Sequence, residues 1–504
     1  MKRLFAPEAL FFVGLMTALL TFGRSVMLRD PGTLWHSTAG ERMLASGHIL
    51  RADPFSISMA GHPWVPMEWL SECVMALVFR AGGWDALLLV TTAVVAAINA
   101  VLSRRLLRAG CHPLLVAGLL TLGLAVGANH IIVRPLVASL ALFTWTFASL
   151  VDIDAGRKKL SSALWLTPAV AVWSNLHGGV LAGLGTTMLV MGSWGLFRAC
   201  RLSSPATSLR HIAFMSLVGG SAIIATLVNP FGVHLPMTWL RILASPNLGR
   251  LLGEHAPLAT SPLTALAVTL LCGCHVALLV GVDRANLRGT MFVPLVWFVM
   301  TWSKITYAPY FAISVLLSMP DVLPRCRWLT RMTAGTDSLF ELRARGSVGT
   351  GDLAVLVLPM VMVATAAVLH AAGIVLPLFG AGWARLDPTT APLDVRDALD
   401  RAAAALPEGT GILNDLDYGG FCIFFEPRLR VFVDDRYELY GPTFLQSYMD
   451  AKAAPAETAE VFASRFDLRV ALLRRGSALD RGVEGSPRWR VLARGATANL
   501  YARR

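Results

Sequence analysis

Long apolar runs alternate with short polar segments over the first three quarters of the chain. A helix that crosses the hydrocarbon layer of a membrane needs about 17 to 25 mostly apolar residues, and runs near this length recur throughout the region. The pattern predicts a polytopic α-helical membrane protein with about eleven spans. The predicted spans are 8–28, 84–103, 113–128, 136–151, 161–174, 178–197, 211–228, 262–281, 289–302, 305–319 and 353–377.

Beyond the last apolar run the pattern changes to short amphipathic helices and strands. This change divides the chain into a transmembrane unit, residues 1–380, and a C-terminal soluble α/β domain, residues 381–504. The transmembrane unit contains a long first outer loop at 29–83. In the domain we expect helices near 392–406, 442–451 and 456–465, and strands near 410–413, 421–425, 430–433, 468–473, 489–493 and 498–502.

Composition supports the membrane assignment and excludes other classes. Hydrophobic residues make up 55% of the 504 positions and charged residues only 15%, which is too apolar for a water-soluble core to hide. The net charge of +12 is carried by short basic clusters between apolar runs, where it signals membrane topology. We therefore expect no nucleic-acid partner. The seven cysteines show no metal-type or disulfide-type spacing.

The basic clusters also predict which side of the membrane each turn faces. The segment 68–80 is only about a dozen residues long and carries Glu68 and Glu72, so we expect it to lie along the membrane surface. With the N-terminus in the cytoplasm, 18 of the Lys and Arg residues in 1–352 then lie inside and nine outside, as the positive-inside rule requires. The expected location is the inner (plasma) membrane, multi-pass, with 381–504 outside as a periplasmic domain.

This topology brings the unusual polar residues to the outer face. They occur in the loop 29–83 and in the turns "NHIIVRP", "WSNLHGG" and "SKITYAPY". A carboxylate there can take a proton, Arg and Lys can bind phosphate, and His and Asn can donate hydrogen bonds. The candidate catalytic or binding residues are Asp30, His36, Asp53, His130, Arg134, Asn175, His177 and Lys304.

Each of these residue types also has a structural interpretation. An Asp before Pro-Gly-Thr favours a helix cap, and an Arg near the interface can extend towards lipid headgroups. In the soluble domain, "RVFVDDRYELY" is typical of an internal Asp–Arg pair, although it could also bind sugar or a cation. The structural alternatives are a cap for Asp30, a headgroup contact for Arg134, a core hydrogen bond for His177 and a turn for Asp53.

A first span followed directly by "LRDPGTLWH", within a long outer loop that contains two surface helices, is similar to the GT-C class of membrane glycosyltransferases. These enzymes use sugars linked to polyprenyl phosphate. The chain also resembles a group of bacterial multi-spanning proteins, described only as glycosyltransferase-like, that carry stretches similar to "WSNLHGG", "NPFG" and "FVDDRYELY".

The resemblance implies an inverting sugar transfer on the outer face to a glycan, lipid or protein acceptor of the cell envelope. Asp30 matches the acidic residue that marks the active site of the class and would be the base. Arg134, Lys304, His130 and His177 would stabilise the departing lipid phosphate, and Asn175 with His177 would line the pocket. Many GT-C enzymes have a second acidic site for a metal, where this chain has Asn129, His130 and Arg134. We therefore expect no required cofactor, and a divalent metal is doubtful.

Two other functions are compatible with the sequence. A transporter or lipid-handling protein of the envelope would also be polytopic, but such proteins place polar groups near the bilayer midplane and often contain inverted repeats. Here the polar residues lie at one surface and no repeat is visible, which favours an enzyme. The missing second acidic site leaves open an assembly scaffold that acts through residues 381–504.

Overall fold

The fold was analysed in a computed structural model that describes residues 6–245, 249, 253–335, 339–342, 354–374, 382–453 and 455–504. The described residues before 382 form mainly helices, and the segment 47–68 of the outer loop is a longer connection. Several of these helices begin with proline in their first turn, where a missing N–H and a fixed φ favour helix initiation. The helices are α1 Pro7–Thr21, α2 Gly32–Ser46, α3 Trp69–Arg108, α4 Pro113–Gly127, α5 Leu136–Asp154, α6 Leu166–Leu176, α7 Val180–Ala199, α8 Leu209–Ala225, α9 His234–Leu243, α10 Pro262–Val280, α11 Val293–Ser303, α12 Ala308–Val322, α13 Arg327–Thr333 and α14 Ala354–Ala371.

Within the described residues, six helical segments are long and apolar enough to cross a membrane, so the chain is an integral membrane protein. They are Trp69–Arg108, Pro113–His130, Leu136–Asp154, Val180–Ala199, Pro262–Val280 and Ile305–Arg325. The other predicted spans are helical in the described residues but shorter, because 3₁₀ turns, prolines or glycines end their helices early. The predicted number of eleven spans is therefore not confirmed. Residue 353 and residues 375–377 of the last predicted span lie outside the described residues.

Helix α3 is two helices joined at a sharp kink. Gly82 (φ −173°, ψ 29°) and Gly83 (φ 62°, ψ −150°) leave the helical region, and the positive φ of Gly83 is a conformation that glycine adopts without steric cost. The kink separates a first arm, residues 69–81, from a second arm, residues 84–108. The predicted boundary between a surface helix and a span falls at this kink, and the flat orientation of the first arm stays a prediction.

Close packing of α2 against the first arm of α3 sets the geometry of the site. A side chain at Gly40 would collide with the backbone carbonyl of Glu72, so only glycine allows the two helices to approach this closely. His36 lies four residues before Gly40, on the same face of α2. The contact therefore brings the imidazole of His36 beside the carboxyl of Glu72.

The C-terminal domain is a mixed five-stranded sheet covered by helices. The strand order is β2-β1-β3-β5-β4, with β1 parallel to β2 and β3, and β5 antiparallel to β3 and β4. Its elements are α15 Arg396–Ala404, β1 Gly411–Asn414, α16 Gly419–Phe425, β2 Arg430–Val431, α17 Tyr437–Ala453, α18 Pro455–Arg465, β3 Leu468–Arg474, α19 Ala478–Glu484, β4 Trp489–Arg494 and β5 Ala498–Arg503.

The strand predicted at 421–425 is wrong, because these residues belong to helix α16. A short apolar run that is buried on all sides has no alternation of apolar and polar residues, so its pattern does not distinguish a strand from a helix. Packing decides the outcome: Gly420 touches the carbonyl of Pro31 at the start of α2, and the helix docks there. The domain thus packs directly on the first outer loop.

The loop 29–83 and the domain share backbone and side-chain bonds. Ile57 N–H donates to the carbonyl of Val431 at 2.8 Å, and Val431 N–H donates to the carbonyl of Phe55 at 3.2 Å. These bonds extend the edge strand β2 with a piece of the loop. Residues from both parts of the chain can therefore form one site.

Candidate functional site

A cavity of about 330 Å³ lies where the outer loop, the ends of several membrane helices and the C-terminal domain meet. One wall is polar and the other is apolar and aromatic. The lining residues include Trp35, His36, Glu68, Glu72, Arg134, His177, Gly178, Gly179, Leu181, Trp239, His255, Trp297, Met300, Tyr307, Tyr310, Asp435, Tyr437 and Glu438. Four of the predicted site residues belong to this region: Arg134, His36 and His177 line it, and Asp30 contacts Arg134.

Asp30 and Arg134 form an ion pair at the polar wall. Arg134 Nε lies 3.1 Å from Asp30 Oδ2. The turn that carries Asp30 is tied to the turn that carries Arg134, because Thr33 Oγ1 donates to the carbonyl of Val133 at 2.5 Å and Val133 N–H donates to the carbonyl of Met27 at 2.8 Å. Asp30 is largely buried and lies beside the cavity, whereas Arg134 faces it.

The helix-cap alternative for Asp30 finds no support in α2. The N-cap position of this helix is Pro31, and no side chain makes a cap hydrogen bond at this end of the described helix. The Asp30 carboxylate is instead turned towards Arg134. Its charge is therefore used at the cavity wall and not to begin the helix.

Asp435 from the C-terminal domain reaches the same wall. An ideal Cβ at Gly32 would lie 3.2 Å from Asp30 Oδ2 and 3.2 Å from Asp435 Oδ2, so the two carboxyls flank this glycine. Trp35 Nε1 donates to Asp435 Oδ1 at 2.7 Å. Burial, and then the negative charge of Asp30, raise the pKa of Asp435 well above its usual range.

This raised pKa predicts a pH-dependent gain in stability for Asp435→Asn. A carboxyl whose pKa is raised by folding contributes its full stability below its unfolded pKa and loses it as the pH rises through the folded pKa. The Asn amide cannot ionise and can donate to Asp30. We expect the variant to unfold at a higher temperature than the wild type at pH 8, with the difference closing towards pH 4.

Thermal unfolding in detergent across this pH range measures the effect. Asp397→Asn, an exposed carboxylate of α15, is the control and should show no pH-dependent gain. If the wild type and Asp435→Asn unfold at the same temperature at pH 8, burial of the Asp435 carboxyl does not lower the stability of the protein.

A second group of titratable residues continues along the polar wall. His36 Nδ1 lies 3.1 Å from Glu72 Oε1, and His36 Nε2 lies 3.3 Å from Glu68 Oε2. The other oxygen of Glu68, Oε1, lies 3.1 Å from His177 Nε2. The four side chains thus form one continuous chain, in the order Glu72, His36, Glu68 and His177. Burial, followed by the charge of Arg134, lowers the pKa of His36 well below its usual range.

The stretch "WSNLHGG" ends α6 and delivers His177 to this chain. His177 is extended (φ −170°, ψ 143°), and Gly179 follows in a crowded position. An ideal Cβ at Gly179 would lie 2.5 Å from the Tyr310 hydroxyl and 2.6 Å from Ser139 Oγ, so a larger residue would displace both hydroxyls. The glycine is needed to let the backbone approach the cavity wall.

Asn175 has a different role from the predicted one. Its Oδ1 accepts from Trp69 Nε1 at 2.9 Å, and its Nδ2 donates to the carbonyl of Val228 at 2.8 Å. The side chain joins α6 to the first arm of α3 and to the segment after α8. Asn175 therefore fixes the wall of the cavity from behind and does not line it.

Asp53 also lies away from the cavity. Its carboxylate pairs with Arg436 Nη1 at 2.7 Å and accepts from the backbone N–H of Phe55 at 3.1 Å. Arg436 in turn pairs with Asp434 at 2.6 Å, and all three side chains are completely buried. The predicted internal pair of the domain is present, and Asp53 extends it to the outer loop, where no substrate could reach it.

His130 and Lys304 are the other two candidates that the structure places elsewhere. His130 is buried, with Nε2 at 3.1 Å from the carbonyl of Ile305, so it joins the turn after α4 to the turn before α12. Lys304 is half-buried next to this contact and lies outside the cavity lining. Neither residue lines the cavity that Arg134 and His177 share.

Four carboxyl residues of the wall were not among the predicted site residues: Glu68, Glu72, Asp435 and Glu438. Glu68 and Glu72 are spaced i,i+4, which puts both on one helix face, and that spacing was the available signal. Glu438 accepts a hydrogen bond from Trp64 Nε1 at 2.8 Å, a contact between the domain and the loop. Burial raises the pKa of Glu438.

The same residues were candidates to hold a metal ion. Over the described part of the chain, no three His, Cys, Asp or Glu side chains are arranged to hold a metal ion. The Asp30 carboxylate is paired with an arginine, and Glu68 and Glu72 contact imidazoles. The absence of a metal requirement stays a prediction.

Comparison with known proteins supports the fold assignment. The oligosaccharyltransferase of Archaeoglobus fulgidus in its apo form has a TM-score of 0.57 and 12% sequence identity, over 93% of this chain and 68% of that chain. ArnT from Cupriavidus metallidurans in its apo state has a TM-score of 0.50 and 14% identity, over 98% and 97% of the two chains. Both are glycosyltransferases of class C.

No protein-family model matches the sequence, and no curated protein matches it. At these low identities the structural likeness shows a shared fold. The predicted resemblance to the GT-C class is therefore confirmed at the level of the fold, and its specific bacterial group is not. The activity has to be argued from the site.

Proposed function

We propose that this protein is a membrane glycosyltransferase that moves a sugar from a polyprenyl-phosphate donor to a cell-envelope acceptor on the outer face of the membrane. The observation that carries the proposal is the two-sided cavity. Its polar wall holds Arg134 and several carboxyls, and its apolar wall is formed by membrane helices. A lipid-linked sugar phosphate has the same division into a polar and an apolar part. The class C fold is consistent with this chemistry.

Arg134 is the proposed contact for the donor phosphate. A guanidinium presents several N–H donors in a plane and can bind two phosphate oxygens at once. Asp30 contacts Nε and thereby fixes the plane of this group. Negative charge grows on the phosphate as the sugar leaves, and a fixed cation at this point stabilises the transition state more than the ground state.

Several carboxyls line the cavity, and ionised carboxylates repel a phosphate. Burial raises the pKa of both Asp435 and Glu438, so these two groups favour their neutral forms. The carboxylate of Asp30 is balanced by Arg134. The polar wall is therefore less negative than its composition indicates, and the phosphate can approach Arg134.

The apolar wall suits the lipid part of the donor. Leu181, Trp239 and Met300 line the cavity, and the rings of Trp297 and Tyr310 are stacked with centroids 5.2 Å apart. Except for Trp239 of α9, these residues belong to α7, α11 and α12 of the membrane unit. The first isoprene units of a carrier could pack on this wall while the phosphate reaches Arg134.

A non-catalytic protein of the envelope is the alternative, either a transporter, a lipid-handling protein or an assembly scaffold. The Asp30–Arg134 pair is the observation in its favour, because two opposite charges that satisfy each other also stabilise a structure without chemistry. This alternative predicts no sugar transfer from any polyprenyl-phosphate donor. Transfer by the purified protein would exclude it.

Arg134→Lys is the first test of the donor site. Lysine keeps the charge but cannot copy the planar pair of hydrogen bonds, so we expect affinity for undecaprenyl phosphate to fall by about 10-fold to 100-fold. Binding of the labelled lipid to the purified full-length protein in detergent measures this loss. Arg80→Lys, in an exposed pair with Glu41, is the matched control and should bind as the wild type does. Equal binding by both variants would contradict the phosphate site.

Transfer itself is measured with labelled polyprenyl-phosphate monosaccharides of hexose, N-acetylhexosamine and pentose type. The wild-type protein is placed in liposomes with envelope glycan and lipid extracts as acceptors. Label should appear in the acceptor fraction with at least one donor. A wild-type protein that neither binds undecaprenyl phosphate nor transfers any of these sugars would overturn the proposed function.

A further inference from the structure

The polar wall contains a carboxylate that two imidazoles hold from opposite sides. Glu68 Oε2 faces His36 Nε2 and Glu68 Oε1 faces His177 Nε2, at 3.3 Å and 3.1 Å. The side chain of Glu68 is 15% exposed, and it lines the cavity. His36 and Glu72 are more deeply buried, with 3% and 1% of their side chains exposed, and His177 is 18% exposed. The protonation states along this chain follow from the hydrogen bonds.

His177 must present an N–H to Glu68. The backbone N–H of Gly179 donates to His177 Nδ1 at 2.7 Å, and a backbone N–H has no acceptor capacity. Nδ1 is therefore unprotonated, and the single proton of the neutral ring is on Nε2. Ser139 Oγ is a second neighbour of Nδ1 at 3.0 Å and itself accepts from Trp173 Nε1. This arrangement locks both the tautomer and the ring plane.

His36 has only one N–H to share between two carboxyls. Burial lowers its pKa, so the ring is neutral near pH 7. One of its two carboxyl contacts must then be made by a protonated glutamic acid. Glu72 is the buried one, with 1% of its side chain exposed, and burial without a cation favours a neutral carboxyl. Glu72 therefore donates to Nδ1, and His36 Nε2–H donates to Glu68.

Both imidazoles thus point an N–H at the same carboxylate. Glu68 accepts from His36 at one oxygen and from His177 at the other, and the acid proton assigned above lies on Glu72. A carboxylate fixed in this way at the edge of a cavity has no freedom to turn away. It is placed to receive a proton from a molecule in the cavity.

We propose that Glu68 is the catalytic base that takes the proton of an acceptor hydroxyl, with His36, Glu72 and His177 as positioning residues. This inference rests on the proposed function. The acceptor oxygen forms a bond to the anomeric carbon of the sugar while its proton moves to Glu68. The bond between that carbon and the phosphate oxygen breaks, and its electron pair leaves with the polyprenyl phosphate.

Asp30 is less suited to this step. It lies beside the cavity and not in its lining, and Arg134 Nε contacts its carboxylate at 3.1 Å. Its place is on the phosphate side, where it orients Arg134. Glu68 is then the residue on the acceptor side. The acidic residue directly after the first span, Asp30, and the proton acceptor, Glu68, are therefore different groups. The titratable or charged residues that line the cavity together with Glu68 are His36, Glu72, His177, Arg134, His255, Tyr307, Tyr310, Asp435, Tyr437 and Glu438.

Glu68→Gln tests the base directly. The amide keeps the size of the side chain but cannot accept a proton, so we expect the transfer rate to fall by about 100-fold to 10,000-fold. Binding of undecaprenyl phosphate should stay within about twofold, because the base acts on the acceptor. The rate of the wild type should fall with acidification as the base is protonated, and this dependence should be absent from the residual rate of the variant. Glu41→Gln, an exposed loop carboxylate, is the control.

Two further variants keep the proposal falsifiable if Glu68→Gln disturbs the fold. Glu68→Asp retains the carboxylate, so its transfer rate should be at least about tenfold higher than that of Glu68→Gln. Glu72→Gln supplies an amide N–H in place of the proposed acid proton, so it should keep at least about a third of the wild-type transfer rate. Glu72→Leu removes this donor, so it should lose most of the wild-type rate. An inactive Glu72→Gln variant that unfolds normally would overturn the assigned protonation states.

The outcomes separate the two proposals. A wild-type protein that transfers sugar, together with a Glu68→Gln variant of unchanged rate, would overturn the base and leave the glycosyltransferase function standing. A wild-type protein that neither binds undecaprenyl phosphate nor transfers sugar would overturn both. Loss of undecaprenyl phosphate binding in Glu68→Gln, at an unchanged unfolding temperature, would place Glu68 on the donor side and contradict its role as base.

Discussion

Asp30→Asn is expected to lower sugar transfer by about 100-fold to 1,000-fold while the protein remains folded. The amide keeps the shape of the side chain but removes the negative charge that holds Arg134 at 3.1 Å. Arg134 would then lose the contact that fixes its plane towards the phosphate, so stabilisation of the leaving group in the transition state is weakened. The effect of Asp30→Asn should differ from that of Glu68→Gln, because Asp30→Asn should also lower the affinity for undecaprenyl phosphate.

The measurement is the transfer rate and the lipid affinity of the same purified sample, with the unfolding temperature recorded for each variant. Asp397→Asn on the surface of α15 is the matched control. A double variant with Arg134→Lys should lose little more than either single change, because both act on one ion pair. Full activity of Asp30→Asn would mean that Asp30 has no function at the cavity.

The sequence was sufficient to predict that Asp30, His36, Arg134 and His177 belong to one region. All four follow or begin apolar runs at the same expected side of the membrane, and turns at one end of a helical bundle are close in space. The prediction needed only the order of the spans. The structure adds that Asp30 contacts Arg134 and that His36 and His177 share Glu68.

The remaining site residues depend on packing that no local pattern contains. Glu68 and Glu72 lie on a helix whose polar face could equally have met solvent, and only the contact at Gly40 turns it towards His36. Asp435 reaches the cavity because the C-terminal domain docks on the outer loop. Docking of two parts that are 400 positions apart, as for Trp35 and Asp435, is a tertiary event.

The wrong placements have the same origin. Asn175 stands two positions before His177, and at an irregular helix end such neighbours point in different directions. Asp53 forms the turn that its sequence favours, in which its carboxylate accepts from the N–H of Phe55, and the same carboxylate pairs with Arg436 of the C-terminal domain. A polar residue near a site in sequence is often part of its frame, because buried polar groups need partners.

Arg436→Met is expected to destabilise the protein by about 3 to 5 kcal/mol. The guanidinium lies between the carboxylates of Asp53 and Asp434 with all three side chains completely buried, so its removal leaves two negative charges without compensation. Arg436 also packs over the rings of Trp64 and Phe55, with 4.7 Å and 5.2 Å from the guanidinium carbon to the ring centroids. Methionine can fill part of this space but cannot neutralise either carboxylate.

Loss of this cluster should also separate the outer loop from the domain, since Asp53 belongs to the first and Asp434 to the second. Asp435 and Glu438 flank Arg436 in sequence and line the cavity, so activity should fall together with the unfolding temperature. Arg469→Met, which removes an exposed arginine paired with Asp467, should leave both unchanged. If instead the triple variant Asp53→Asn, Asp434→Asn and Arg436→Met is more stable than Arg436→Met alone, the cost lies in the unpaired carboxylates. If the two are equally stable, the lost packing on Trp64 and Phe55 accounts for the damage, and the ion pairs do not hold the domain to the loop.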